Sequence, residues 1–339
     1  VELERLDDYA YYHNLHSLWN ASYTDRELRN GKSGGPTPAI DGATTGFELA
    51  AGAVGNFCVQ LDSGFLMGHH KKALPMGMAE FTIVIRLNTA AVALVAHENA
   101  AAHAYTITNP RFYCPVYKIE DMNVLNQYKM LASQRGISWS GDTNKLYMGA
   151  FTATSGTQTI QINDRSLSLK GLITGKRPSA SYQNVRAMTN SASNLTGITQ
   201  YNYQIGGLNY PQVPVDIVIA DANINIGRAY DQCLKTFAAP GFAHSEPLVN
   251  KAKFVKADPG AAVALGEGTA AGQGVLCIDL RRFDDERLSY VGLNTAKNAS
   301  PNILEIQASG DMVASTTNTY AICEVEYTMS HMGAFSVVV

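Results

Sequence analysis

Side chains able to do chemistry occur here in small groups, and each group fails on spacing or context. Leu61-Asp-Ser-Gly64 holds the Asp-Ser-Gly tripeptide of aspartic proteases. That chemistry needs two carboxylates sharing one proton, and the candidate second copy, Asp221-Ala-Asn223, does not match. Gly31-Lys-Ser33 has the tail of a phosphate-binding loop, but the glycine required five residues earlier is Arg26, and no strand–helix context surrounds it. Gly266-Glu-Gly-Thr-Ala-Ala-Gly272 misses the dinucleotide fingerprint by one residue and also lacks a strand–helix unit. His69 and His70 are adjacent, so on a strand they point to opposite faces and chelate poorly. With Lys71 and Lys72 they read as a solvated turn. His13 and His16 share a helix face but have no carboxylate in register. Asp284-Asp-Glu286 reads as an acidic turn, with a cation held between subunits as the chemical alternative. No Ser/His/Asp set has recognisable context. The expectation is therefore no catalytic residue, no cofactor and no metal site.

The five cysteines, Cys58, Cys114, Cys233, Cys277 and Cys323, are odd in number, and no two fall at zinc-ligand spacing. Set mostly among apolar neighbours, they read as buried thiols. The sequons at Asn20, Asn194 and Asn298 read as chance matches, because no signal-peptide apolar region precedes them. The longest apolar run, from Phe81 to Ala96, is broken by Arg86 and Asn88 and alternates like a strand, which excludes a helical membrane span.

What these residues sit on is a chain of two-domain length, 339 residues. Only 16% are charged, against roughly 25% in an average protein. Sparse charge predicts large surfaces covered by other subunits. Residues before Pro178 carry 16 of the 26 basic and 15 of the 29 acidic groups. Neither half is basic, so no direct grip on nucleic acid is expected.

The pattern of elements runs as follows. Residues 1–42 form an N-terminal arm that opens on a helix, with Leu3, Leu6, Tyr9, Ala10 and His13 on one face. Strands are expected at 44–50, 55–67, 79–88, 91–97, 104–119, 145–153, 156–163 and 166–176. The alternation of Gln158-Thr-Ile-Gln-Ile-Asn163 is typical of them. A helix after Asp121 interrupts the run, with Val124, Leu125, Tyr128, Leu131 and Ala132 inward and Gly136 as its stop. The Ser/Asn/Ala-rich stretch 178–196 connects to a second half. There strands are expected at 197–206, 213–220, 250–256, 274–283, 303–309 and 317–329, with weaker ones at 182–188 and 334–339. A second helix turns Ile226, Tyr230, Cys233, Leu234 and Phe237 inward until Pro240-Gly241. Residues 257–274 read as a long loop. Short strands with one helix per half predict an all-β protein of tandem antiparallel sandwiches. The expected domains are 43–178 and 179–339.

Several segments of this plan resemble the double jelly-roll major capsid proteins of tailless phages, adenoviruses, virophages and polinton-like viruses. Tyr203-Gln-Ile-Gly-Gly-Leu-Asn-Tyr-Pro-Gln-Val-Pro214 looks like the strand, turn and proline-bearing segment that precede a helix in that family, and Asn225-Ile-Gly-Arg-Ala-Tyr230 like the helix start. Cys277-Ile-Asp-Leu-Arg-Arg-Phe283, Gly292-Leu-Asn-Thr295 and Asn302-Ile-Leu-Glu-Ile306 resemble its late strands, and Thr319-Tyr-Ala-Ile-Cys-Glu-Val-Glu-Tyr327 its closing strand. The resemblance implies two eight-stranded jelly rolls, each with a helical insertion. It implies a non-enzymatic protein of the virion, assembled inside the host cell. Three chains would make a pseudo-hexagonal capsomer, and capsomers would tile an icosahedral shell. Its implied partners are other copies of the chain, penton and minor capsid proteins, and an internal membrane as a further candidate. Tyr9, Tyr12, Leu15, Leu18 and Trp19 of the arm would then contact neighbours or a membrane. The competing expectation is a tandem β-sandwich that binds carbohydrate, which calls for exposed aromatic side chains on loops.

Overall fold

The computed structural model describes residues 2–20, 54–59, 61, 63, 65, 82–89, 104–114, 118–179, 195–218, 225–238, 249, 254, 274–281, 291–330 and 334–339. In chain order these hold helix α1 (Tyr9–Asn20), helix α2 (Met122–Arg135), strands β1 (Ile137–Phe151), β2 (Gly156–Ile162), β3 (Leu169–Pro178), β4 (Ile198–Ile205) and β5 (Leu208–Asp216), helix α3 (Gly227–Ala238), and strands β6 (Leu276–Asp279), β7 (Asn302–Ala308), β8 (Ser315–Met329) and β9 (Phe335–Val338).

The strands form two antiparallel sheets. One runs β1-β8-β3-β6, with β9 extending along β8 beyond the end of β3, and the other runs β2-β7-β4-β5. From β1 to β8 successive strands switch between sheets except β4 and β5, which are joined by the tight Gly206-Gly207 turn in which both glycines have positive φ. This strand order is that of an eight-stranded jelly roll, two interleaved Greek keys. Alternation builds the interior: Ile160 and Ile162 of β2, Leu304 and Ile306 of β7, and Tyr201 and Tyr203 of β4 are all buried. The two tyrosines span the sandwich, their hydroxyls donating to the carbonyls of Cys277 and Leu276, each at 3.0 Å.

Helices cover the other face of the first sheet. β3 is buried along almost its whole length because α1 and α3 lie against its outer side. Two glycines four residues apart allow that approach. A Cβ on Gly171 would stand 3.0 Å from the Thr236 methyl, and one on Gly175 would collide with the Tyr11 ring. The result is three layers: helices, sheet, sheet.

The jelly roll straddles the expected boundary at residue 178. β1, β2 and β3, expected to close a first roll over 43–178, pair instead with β8, β7 and β6 of the second half. Alternation identifies a strand but says nothing about its partner, and these partners lie more than 100 residues away. Among the described residues before Ile137 there is no strand. Expected strands 44–50 and 91–97 lie outside the described residues, as do 182–188, all but Phe254 of 250–256, and most of 257–274. α2 begins as expected, with Asn123 N–H donating to Asp121 Oδ1 at 2.8 Å, and ends at Gly136 with φ +70°. Its intended inner side chains Val124 and Leu131 are exposed, however.

Candidate assembly surfaces

The arm residues occupy the protein's own core. Tyr12, Leu15 and Trp19 are buried, with Trp19 stacked on Phe237 of α3 at 5.4 Å and Tyr12 5.2 Å from Tyr320 of β8. Tyr9 is half-buried against His13. Leu18 lies in the helix, its side chain outside the described residues. The expectation that these side chains meet neighbours is corrected for Tyr12, Leu15 and Trp19: an amphipathic helix next to an uncovered sheet face buries its apolar stripe there first.

Polar anchors set the register of that docking. Asp8, in the left-handed region at φ 46°, accepts from Arg177 at 2.8 Å and from Asn318 Nδ2 at 2.6 Å. Arg177 is itself fully buried, with its guanidinium over the Tyr11 ring at 4.3 Å. Upstream, the Glu4 carboxylate accepts from Ser63 Oγ, from Phe65 N–H at 3.2 Å and from Thr143 Oγ1 at 2.8 Å. This places Ser63 of the protease-like tripeptide in a structural hydrogen bond. Phe65 enters an aromatic box of Trp139, Tyr327 and Phe335, with ring centres 5.2–5.8 Å away.

Asp164 and Lys176 are among the buried ionisable groups inside the roll. Asp164 accepts from Ser166 Oγ at 2.5 Å, Thr295 Oγ1 at 3.0 Å and Tyr147 OH at 3.2 Å, with Lys145 Nζ at 3.7 Å. It ties the turn after β2 to the segment before β7 and to β1. Burial, with Asp164 close by, raises the pKa values of the Tyr147 hydroxyl and the Cys323 thiol, so both stay protonated. Lys176, fully enclosed at the end of β3, donates to the Thr196 carbonyl at 2.7 Å. Desolvation lowers its pKa to about 8.

The two flanks differ. Over the helices, Arg228, Asp231 and Lys235 face solvent, the last two paired at 2.7 Å. On the opposite flank, β2, β7, β4 and β5 contain no Lys or Arg at all. Cross-strand register arranges the residues of the outer face in rows: Thr157, Gln307, Gln200 and Asp216; then Thr159, Glu305 and Asn202; then Gln161, Ile303 and Gln204, exposed at β2 and Asp216, half-buried over β7 and β4, and buried at Asn202. Gln307 donates to Thr157 and Gln200 to Asp216, each at 2.8 Å. This composition is visible in the sequence once the strands are known.

Among the described residues no group of three His, Cys, Asp or Glu could hold a metal, and no helix is long and apolar enough to cross a membrane. The tripeptide's Asp62 and the groups at 31–33, 69–72, 266–272 and 284–286 lie outside the described residues.

The fold thus defines an antiparallel jelly-roll sandwich. No known protein family matches the sequence, and no curated protein does. Solved structures that it resembles are viral capsid proteins. VP54 of PBCV-1, fitted into a reconstruction of the virophage Sputnik, is 10% identical with a TM-score of 0.38, over 64% of this chain and 54% of that one. The Faustovirus major capsid protein is 8% identical with a TM-score of 0.37, over 60% and 36%. The major capsid protein of bacteriophage PM2 is 12% identical with a TM-score of 0.25, over 54% and 45%. The matched region spans about half the length of these structures or less.

Proposed function

We propose that this chain is a structural major capsid protein of the virion, whose trimers form pseudo-hexagonal capsomers that tile an icosahedral shell. The observation that carries this reading is the strand order β1-β8-β3-β6 over β2-β7-β4-β5. Such a sandwich is a flat-walled block able to stand beside copies of itself. Its interior is filled by side chains such as Tyr201, Tyr203 and Leu304, which suits a load-bearing block better than a vessel for a ligand. Both tryptophans, Trp19 and Trp139, are buried, which removes the largest rings from any sugar-stacking role. The protein would perform no catalysis. Penton and minor capsid proteins, and an internal membrane, would be its partners beyond other copies.

Light scattering on a sizing column tests it. The chain of 36.5 kDa should elute as a trimer, and negative-stain images should show hexagonal particles. A stable monomer at micromolar concentration would overturn the proposal.

A further inference from the structure

We propose that the outer face of the β2-β7-β4-β5 sheet is the contact between neighbouring capsomers, packing on the same face of a second copy; this rests on the capsid reading above. The four strands offer neither Lys nor Arg, and the charges on their outer face are the carboxylates Glu305 and Asp216. Lysine is among the residues that interfaces shed. The opposite flank keeps its ordinary Arg228, Asp231 and Lys235, so the depletion belongs to one side of the sandwich.

The chemistry of the face points to its own copy as the occupant. Gln200, Gln204, Gln307 and Thr157 each carry both a donor and an acceptor. A two-fold axis brings a patch against itself, and such side chains can pair with their equivalents in either direction. The two carboxylates on the face, Glu305 and Asp216, are already held by Gln204 at 3.4 Å and Gln200 at 2.8 Å. Strand-to-strand addition at the neighbouring edge is blocked, because Pro211 and Pro214 remove donors from β5. On the β5 side, contact therefore falls on the face and not the edge.

Size fits a lattice contact. Four strands about 4.8 Å apart and about 20 Å long give on the order of 400 Å² per side, about half of what a stable specific interface buries per partner. One such contact would not hold a dimer. Many in register would hold a shell while allowing trimers to exist alone.

The test is the double variant Thr157→Glu and Gln161→Glu, two exposed positions on β2, against Val313→Glu, which is exposed outside the four strands. Thermal melting and trimer mass should stay as in the unmodified protein for both. Association of trimers, followed by light scattering against concentration, should shift by about tenfold or more for the double variant alone, the effect of like charges brought together. Double-variant trimers that associate like the unmodified protein would overturn the proposal. So would a double variant that melts normally but stays monomeric, which would put the face inside the trimer, and so would unmodified trimers that never associate. If the unmodified chain forms no trimer at all, it is the capsid reading that fails.

Discussion

Lys176 shows how a single residue sets a pH response. Its ammonium is enclosed and its folded pKa is about 8, whereas in the unfolded chain a lysine titrates near 10.4. Between those values the unfolded state binds more protons, so stability rises with pH across the window of about 8 to 10.4. Below it the folded protein carries the full cost of a buried charge, on the order of 3 kcal/mol. Lys176→Met should raise the melting temperature at pH 7 and flatten its rise between pH 8 and 10, read by thermal melts across that range. Asp164 stabilises the fold as a buried acceptor on which Ser166, Thr295 and Tyr147 converge. Asp164→Ala orphans those donors and should destabilise by roughly 3 kcal/mol, read as a lower urea midpoint at unchanged slope.

At the scale of elements, α1 behaves as part of the roll. Trp19 is wedged against Phe237, and Asp8 supplies the counter-charge of Arg177. Gly175→Val fills the space of the Tyr11 ring and should push α1 off the sheet. In a Trp139→Phe background, Trp19 emission should move to longer wavelength and the first 20 residues should become sensitive to protease. Unchanged emission would place the helix's hold elsewhere. These docking contacts explain what was readable beforehand. Alternation marked β2, β4, β7 and β8 to within a few residues, and the i, i+3, i+4 spacing of Ile226, Tyr230, Cys233 and Phe237 marked α3 and its buried face. Pairing was not readable, because a ladder such as Thr143 to Cys323 joins residues 180 apart. The same blindness placed the boundary at residue 178 inside a sheet. It also assigned Tyr12 and Trp19 to neighbours, since an apolar helix face looks the same whether its cover comes from its own chain or another. A signal was present in the Gly171 and Gly175 pair, whose spacing on one face of β3 marks a close approach.

At the scale of the whole molecule, charge decides how a shell of this protein would relate to its contents. The formal net charge is −3, and neither half of the chain is basic. Nucleic acid binding through phosphates gains from counterion release, and falls steeply as salt rises, only where many Lys or Arg line one surface. Here the described basic residues include Arg177, Lys170 and Lys145, each paired with a carboxylate of its own chain. Assembly should therefore draw on neutral contacts between copies and need no nucleic acid as a template. Nuclease-treated protein should form trimers and higher assemblies as readily as untreated protein. The yield should change little between low and moderate salt, and ultraviolet absorbance of the purified particles should be that of protein alone. Loss of assembly on nuclease treatment, or a steep decline with salt, would mean that basic side chains converge on one surface in the assembled state.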